Sequence, residues 1–255
     1  MEMVMTETEG AIGMITLNRP DKLNALSVPM REQIAAAVRQ MMADESVRVV
    51  IITGGDKVFA AGADLNLLAE KNSREMADLN MGQYWEPLAR APKPMIAAVS
   101  GYALGGGCEV ALMCDIIVAD STARFGLPEA GVGIMPGAGG TQRMVRALGK
   151  YVTSQLAMTG GQLSGDRAYQ LGLVSELAED GQTLDAARKL AGKIARMPPR
   201  AIAAIKRSLA DGADLPLNAG LALEGREFLL LFDTEDKAEG MQAFLEKRKP
   251  EFTGR

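Results

Sequence analysis

With 255 residues, 47% of them hydrophobic and 24% charged, the chain is long enough to bury a large core without disulfide staples. Its net charge of −4 excludes a general attraction to nucleic acid or anionic membrane, and its two cysteines exclude a disulfide framework. It has no histidine, so Ser-His-Asp and Cys-His catalysis and histidine metal sites are excluded together.

Residues 4–17 read as two short strands about the turn at Glu9-Gly10, and Asn18-Arg19-Pro20-Asp21 as a loop. Ser27 before Pro29 starts a helix, and Ile34, Ala37, Val38, Met41 and Met42 carry helical spacing to about residue 43. The β-branched run 47–53 predicts a strand buried on both faces, ended by Gly54-Gly55. Residues 59–64 form a small-residue loop, and 65–89 reads as helix broken near Gly82 and Pro87. The apolar run 95–99 is a second buried strand. Gly105-Gly106-Gly107 then turn the chain, and helical spacing begins at Cys108. Residues 116–119 predict a strand, 123–129 a short strand and turn, and 141–148 and 151–159 two helices about Gly149. Ser164 caps a helix to 171, 172–176 reads as a short strand, and 184–195 as an amphipathic helix. Pro198-Pro199 opens a helix over 200–210, an apolar helix covers 217–232, and Thr234 caps a last helix that runs into Lys247-Arg248-Lys249.

The chain therefore mixes strands and helices early and becomes almost all helix late. This divides 1–195 from a helical region, 196–255, whose apolar helix needs a partner surface. No internal repeat is visible, and no apolar run reaches the roughly 18 residues that a transmembrane helix needs. Cys108 and Cys114 lack metal-ligand spacing and read as core thiols. The first ten residues hold three glutamates and no Lys or Arg, unlike a secretory signal or transit peptide. A reducing, cytoplasmic location is the expectation.

Without histidine, proton transfer falls to groups such as Glu, Asp and Lys. The Gly105–Gly107 turn lacks the spacing of a phosphate loop or a dinucleotide fingerprint. It is either a packing turn or a presenter of free N–H groups, best that of Gly106, at a helix start that carries partial positive charge. Gly62-Ala63-Asp64, also ahead of a helix, can present a second N–H. Two such donors converging on one oxygen make an oxyanion hole, each worth about 3 kcal/mol. Glu109 reads as a helix-dipole residue or as an acid–base group, and Glu129 as a solvated turn residue or as the same. Together, in apolar and glycine-rich surroundings, they suit acid–base work with their pKa values pushed apart. Lys22, Lys57 and 247–249 either meet phosphates or coat a solvated face.

Several stretches resemble the enoyl-CoA hydratase (crotonase) family: Asn18-Arg-Pro-Asp-Lys-Leu-Asn-Ala-Leu26, Phe59-Ala-Ala-Gly-Ala-Asp64, Gly101-Tyr-Ala-Leu-Gly-Gly-Gly-Cys-Glu109, Phe125-Gly-Leu-Pro-Glu129 and Gly133-Ile-Met-Pro-Gly-Ala-Gly-Gly-Thr-Gln-Arg143. With Glu239-Gly-Met-Gln-Ala-Phe-Leu-Glu-Lys-Arg248 they run in family order along nearly the whole chain. The resemblance implies an α/β crotonase (ClpP-like) spiral fold of repeated ββα units with a C-terminal helical trimerisation region, assembled as a homotrimer or homohexamer. It implies an acyl-CoA thioester substrate, with no metal and no cofactor beyond the coenzyme A of the substrate itself. Glu109 and Glu129 match the two catalytic glutamates, the N–H groups of Ala63 and Gly106 the oxyanion hole, and Gly137 a glycine that helps place water. Lys22, Asn24, Lys57, Ala61, Ala63, Asp64, Leu65, Asn66 and Lys247 are the implied coenzyme A contacts.

The implied reaction is hydration of a trans-2-enoyl-CoA to a 3-hydroxyacyl-CoA, in fatty acid β-oxidation or phenylacetate catabolism. The alternatives are double-bond isomerisation or another CoA-enolate reaction, and a non-enzymatic RNA-binding protein of the same fold, against which the acidic balance argues. Within the family, residues 61–66, 69–71 and 126–129 are similar to bacterial phenylacetate-pathway hydratases of 2,3-dehydroadipyl-CoA. For a substrate with a distal carboxylate, Lys71 or Arg74 are the candidate cations. Ser100 stands where the family often has Asn, and Ala130-Gly131 replace bulkier residues after the second glutamate, so the resemblance does not fix the shape of the acyl pocket.

Overall fold

The computed structural model describes residues 2–255. The chain opens with β1 (Val4–Glu9) and β2 (Ile12–Leu17), paired antiparallel across Gly10. α1 (Val28–Ala43) follows Ser27, then β3 (Val49–Thr53) and the short β4 (Val58–Ala60). Three helices come next: α2 (Leu65–Ala69), α3 (Ser73–Asp78) and α4 (Gly82–Ala89). β5 (Met95–Val99), β6 (Tyr102–Leu104) and α5 (Gly106–Met113) lead to β7 (Ile116–Ala119), β8 (Arg124–Gly126) and a 3-10 turn, Pro128–Val132. α6 (Gly140–Thr159) is kinked at Gly149, where φ is +75°. β9 (Gln162–Ser164), α7 (Gly165–Gln170), β10 (Glu176–Leu177) and α8 (Thr183–Ala195) complete the layered part. α9 (Pro199–Gly212), α10 (Leu217–Leu230) and α11 (Glu235–Leu245) form the helical end.

The strands form two sheets, ordered β1-β2-β3-β5-β7-β10 and β4-β6-β8-β9. Successive passes of the chain lay one strand in each: β3 then β4, β5 then β6, β7 then β8, each pass followed by helix or turn. This is a spiral of strand–strand–helix units. Pairing is parallel except at β1–β2 and β8–β9. β3 and β5 are buried at every position, which explains their continuous apolar runs. Alternation then splits the core into two layers. Val50, Ile52, Ala97 and Val99 face the α1 and α5 side, whereas Val49, Ile51, Ile96 and Ala98 pack against Ala187 and Ala191 of α8.

Several expectations are corrected. The 65–89 segment breaks at 79–81, beside Gly82 as expected, and also at 70–72, where Asn72 and Glu75 form a reciprocal capping box that starts α3 afresh. Gly82 begins α4, and Pro87 lies inside it. The strand expected at 172–176 is reduced to Glu176–Leu177, since Leu173 and Val174 bend back to the Ala168 carbonyl. The second sheet is made of three-residue strands where, apart from β8, the sequence suggests only loop and turn. Ser100 does not present its hydroxyl to an acyl pocket. It is buried, and its Oγ donates to Asp120 Oδ2 at 2.7 Å and lies 2.9 Å from Thr183 Oγ1. Thr183 also donates to Asp120 Oδ2 at 2.9 Å, so this polar knot ties β5 and β7 to the start of α8. Burial opposes ionisation of Asp120, but hydrogen bonds from Thr122, Ser100 and Thr183 outweigh it and hold the carboxyl below its ordinary value.

Candidate active site

Two backbone loops from successive passes meet past the ends of the paired strands β4 and β6. In the first, β4 ends at Ala60 and the chain turns through Gly62, φ +112°, to Asp64, which caps α2. That loop is fixed by the Leu26 N–H donating to Gly62 O at 2.8 Å and the Ala61 N–H donating to Leu23 O at 3.0 Å. In the second, Gly105, φ +51°, donates its N–H to Gly126 O at 2.9 Å, and Gly106 opens α5. A Cβ on Gly107 would land on the Ala60 carbonyl, so only glycine lets α5 press against the end of β4. That approach brings the loops together: a Cβ on Gly106 would lie 3.9 Å from Ala63 N. Neither the Ala63 nor the Gly106 N–H donates to an acceptor among the described residues. The result is a pair of neighbouring free donors, the geometry that holds a developing negative charge on one oxygen.

Glu109, one turn into α5, is 3% exposed. Its Oε1 accepts the N–H groups of Ala138, at 2.7 Å, and Gly140, at 2.8 Å. Its Oε2 has no hydrogen bond among the described residues. A Cβ on Gly140 would lie 3.0 Å from that same Oε1 and crowd it. Arg143 Nη1 folds back across Gly139 to donate to Ala138 O at 2.9 Å, clamping the loop that holds Glu109.

Glu129 arrives on the 3-10 turn after β8. Its Oε1 lies against Gly105, where a Cβ would come within 2.8 Å of it, and its Oε2 is buried without a partner. Burial pushes its carboxyl above the ordinary value; its own backbone opposes this, and the negative charge of Glu109 adds to the rise. One glutamate is thus anchored by two N–H groups while the other favours its proton, an asymmetry suited to a base and an acid.

The remaining residues named from the sequence are placed unevenly. Lys22 and Lys57 are exposed on neighbouring loops, while Ala61 and Ala63 are half-buried beside them. The Asn24 side chain is buried and faces the fold, with Oδ1 accepting the Arg19 N–H at 2.7 Å and Nδ2 donating to Val58 O and Phe59 O at 3.1 Å. It fastens the 19–26 loop to β4, because a loop that runs beside a strand end leaves backbone carbonyls in need of donors. Asp64 is also engaged, pairing with Arg19 at 3.1 Å, which holds its carboxyl below the usual range. Leu65 and Asn66 are exposed on α2, and the Asn66 amide donates to Asp64 at 3.0 Å. Gly137 is exposed next to Ala138. Lys247 is exposed just past α11, where its backbone is tied to Phe244. Lys71 is half-buried and Arg74 exposed.

Sequence reasoning missed the Ala138 and Gly140 donors, the Arg143 clamp and Arg31, a buried cation on α1. For Arg31 a signal existed: it sits three and seven residues before Ile34 and Val38, on the apolar stripe. Both cysteine thiols are pushed up by burial and are unsuited to nucleophilic work. Among the described residues no three potential metal ligands cluster, and no helix is long and apolar enough to cross a membrane.

A spiral of two sheets, paired free N–H groups and two carboxylates define a class. The family model described as Enoyl-CoA hydratase/isomerase matches residues 7–255, and the chain belongs to that family, with the crotonase fold. Among its relatives, the 2,3-dehydroadipyl-CoA hydratase of Escherichia coli (strain K12) is 45% identical over 255 residues, covering 100% of both chains. A probable enoyl-CoA hydratase of Rhizobium meliloti (strain 1021) is 44% identical over 257 residues, covering 100% of this chain and 99% of that one. A solved enoyl-CoA hydratase subunit from Geobacillus kaustophilus HTA426 superposes with a TM-score of 0.96 at 45% identity, over 99% of this chain and 98% of that one.

Proposed function

We propose that this protein is an enoyl-CoA hydratase in which the N–H groups of Ala63 and Gly106 polarise the substrate thioester and Glu109 and Glu129 divide the proton transfers. Full-length identity of 45% to a named hydratase supports the activity. The reaction is reversible addition of water across the 2,3 double bond of a trans-2-enoyl-CoA. Charge drawn onto the thioester oxygen makes C3 electrophilic, and the paired donors stabilise the enolate that follows. Glu109, whose Oε1 is fixed by two N–H groups, keeps Oε2 to take a proton from water as oxygen adds at C3. Glu129, whose environment favours the protonated form, supplies the proton at C2. Water is placed by the loop at Gly137 beside Ala138. The chemistry is redox-neutral, so protons and water suffice and no metal is called on.

The coenzyme A moiety runs along the neighbouring 22–26 and 57–66 loops, where Lys22 and Lys57 face its phosphates. Asn24 and Asp64 serve through their backbone only, since their side chains are engaged with the fold. Lys247 reaches the phosphates only across a subunit boundary. That boundary is part of the same reading, a trimer or a dimer of trimers built on α10 and α11.

The observation that supports the reading is the proximity of Ala63 N to Gly106, of Glu129 to Gly105 and of the two glutamates to each other. It is tested with Glu109→Gln and Glu129→Gln on crotonyl-CoA. Each is expected to lower kcat by about 10²- to 10⁴-fold; a loss under about tenfold in either would refute the assignment. Turnover of trans-3-enoyl-CoA faster than trans-2-enoyl-CoA would favour isomerisation instead.

A further inference from the structure

Arg31 is a charged group in an apolar place. It lies on α1, 6% exposed, among core residues such as Met30, Ile34 and Val38. Among the described residues no ion pair satisfies it. Its Nε is buried without a hydrogen-bond partner, and its Nη1 meets only Met81 Sδ at 3.7 Å. The guanidinium lies over the Trp85 ring at 5.3 Å from the centroid, so α4 supplies a flat apolar wall rather than an anion. Guanidinium stays charged in proteins, and burying it unpaired is costly. A fold that keeps such a cation leaves a place for an anion.

The position is close to the two glycine loops and Glu109. α1 starts two residues after Leu26, whose Cδ1 would lie 3.3 Å from a Cβ on Gly106. The charged groups that face Arg31 are Glu109 from α5, Tyr84 from α4 and Asp64 from the oxyanion loop. Burial pulls its pKa down and the charge of Glu109 opposes that. Glu109 is held through Oε1 by Ala138 and Gly140, and Asp64 by Arg19, and neither forms a salt bridge or hydrogen bond with Arg31 among the described residues. The two cations expected from the sequence to meet a distal carboxylate, Lys71 and Arg74, are half-buried and exposed respectively, and exposed cations discriminate weakly.

We propose that Arg31 receives a carboxylate at the far end of the acyl chain, which makes thioesters of dicarboxylic acids the preferred substrates. This rests on the hydratase reading above and deepens it, naming the substrate class of the same site. The carboxylate forms a charge-assisted pair with Nε and Nη of the guanidinium, a planar fork that fits it side-on. A chain ending in a methyl group leaves the cation unpaired and is disfavoured.

The test compares 2,3-dehydroadipyl-CoA with trans-2-hexenoyl-CoA and crotonyl-CoA in the wild type, Arg31→Leu, Arg31→Met and Arg31→Lys. The wild type is expected to favour the dicarboxylic thioester over hexenoyl-CoA in kcat/KM. Leu and Met at 31 should each lower that preference by about 30- to 1,000-fold, and Lys should retain part of it. In parallel, adipyl-CoA and hexanoyl-CoA binding is measured by calorimetry, a readout that stands even where hydration fails. No preference in the wild type, a preference that survives Arg31→Leu, or an equal loss on all three substrates would each overturn the proposal.

Discussion

Glu129 keeps its proton to a higher pH than an unfolded glutamate, because burial and the neighbouring charge of Glu109 penalise its ionised form. The folded state therefore binds more protons than the unfolded one above the unfolded pKa of about 4.3, and stability declines as pH rises through the folded value. Glu129→Gln removes that decline. Thermal melts from pH 4.5 to 8 should show the variant near wild type at the acid end and more stable at neutral pH. A difference that is constant with pH would contradict titration of Glu129 as the cause. In kinetics, the alkaline limb of kcat/KM should lie above the ordinary carboxylate range, since loss of the Glu129 proton removes the acid. Gly140→Ala tests the other glutamate: its Cβ would crowd Glu109 Oε1 at 3.0 Å and push it off its two donors. Crotonyl-CoA turnover is expected to fall at least tenfold while coenzyme A binding, measured by calorimetry, is retained.

At the scale of elements, the site exists because α5 packs directly on β4. Gly107→Ala would place a methyl group on the Ala60 carbonyl, which is backbone and cannot swing aside. Overpacking of this kind typically costs about 1–3 kcal/mol, and chemical denaturation should show a loss at or above that range. The polar knot of Asp120, Ser100 and Thr183 has a comparable part on the opposite side of β5. Asp120→Ala leaves two buried hydroxyls without their acceptor, each costing about 1–3 kcal/mol. It should lower the denaturation midpoint well beyond what Ser100→Ala does. Both cases show why boundaries are harder to read than elements. The buried strands β3 and β5 declare themselves by uninterrupted apolar runs. The three-residue strands β4, β6 and β9 carry too few side chains for any period to show, and their pairing is set by partners distant in sequence.

At the scale of the molecule, α10 is turned inside out. The one residue it buries is Glu227, paired with Arg207 at 2.6 Å, whereas Leu217, Phe228 and Leu229 are 76%, 58% and 67% exposed. Phe244 and Leu245 on α11 extend the apolar surface. Apolar area of this extent is rarely left to water in a soluble protein. If the proposed trimer is built on this surface, Phe228→Glu with Leu229→Glu shifts the mass in analytical ultracentrifugation from that assembly towards the single chain. An unchanged mass would place the interface elsewhere. α9 belongs with the layered part as well as with the helical end: Lys206 pairs with Asp115 at 2.7 Å and donates to Lys93 O at 2.9 Å.

The sequence by itself determined the local and the chemical alphabet. Apolar runs gave the buried strands, glycines gave the turns at 62 and 105, and the lack of histidine left carboxylates to move protons. It also marked Glu109, Glu129, Ala63 and Gly106, each within a stretch of motif. Tertiary structure alone decided which groups meet. Ala63 and Gly106 are 43 positions apart (106 − 63) and become neighbours only because Gly107 lets one pass of the spiral settle on the previous one. The clamp of Glu109 by Ala138 and Gly140 uses backbone N–H groups, which nearly every residue has, so no residue type announces it. The same reason hid the fate of Asn24 and Ser100, whose side chains could face a ligand or the fold; which of the two depends on where unpaired carbonyls and carboxylates end up after packing. Arg31 reads in sequence as one basic residue among 28, and only its burial without an anion gives it a meaning.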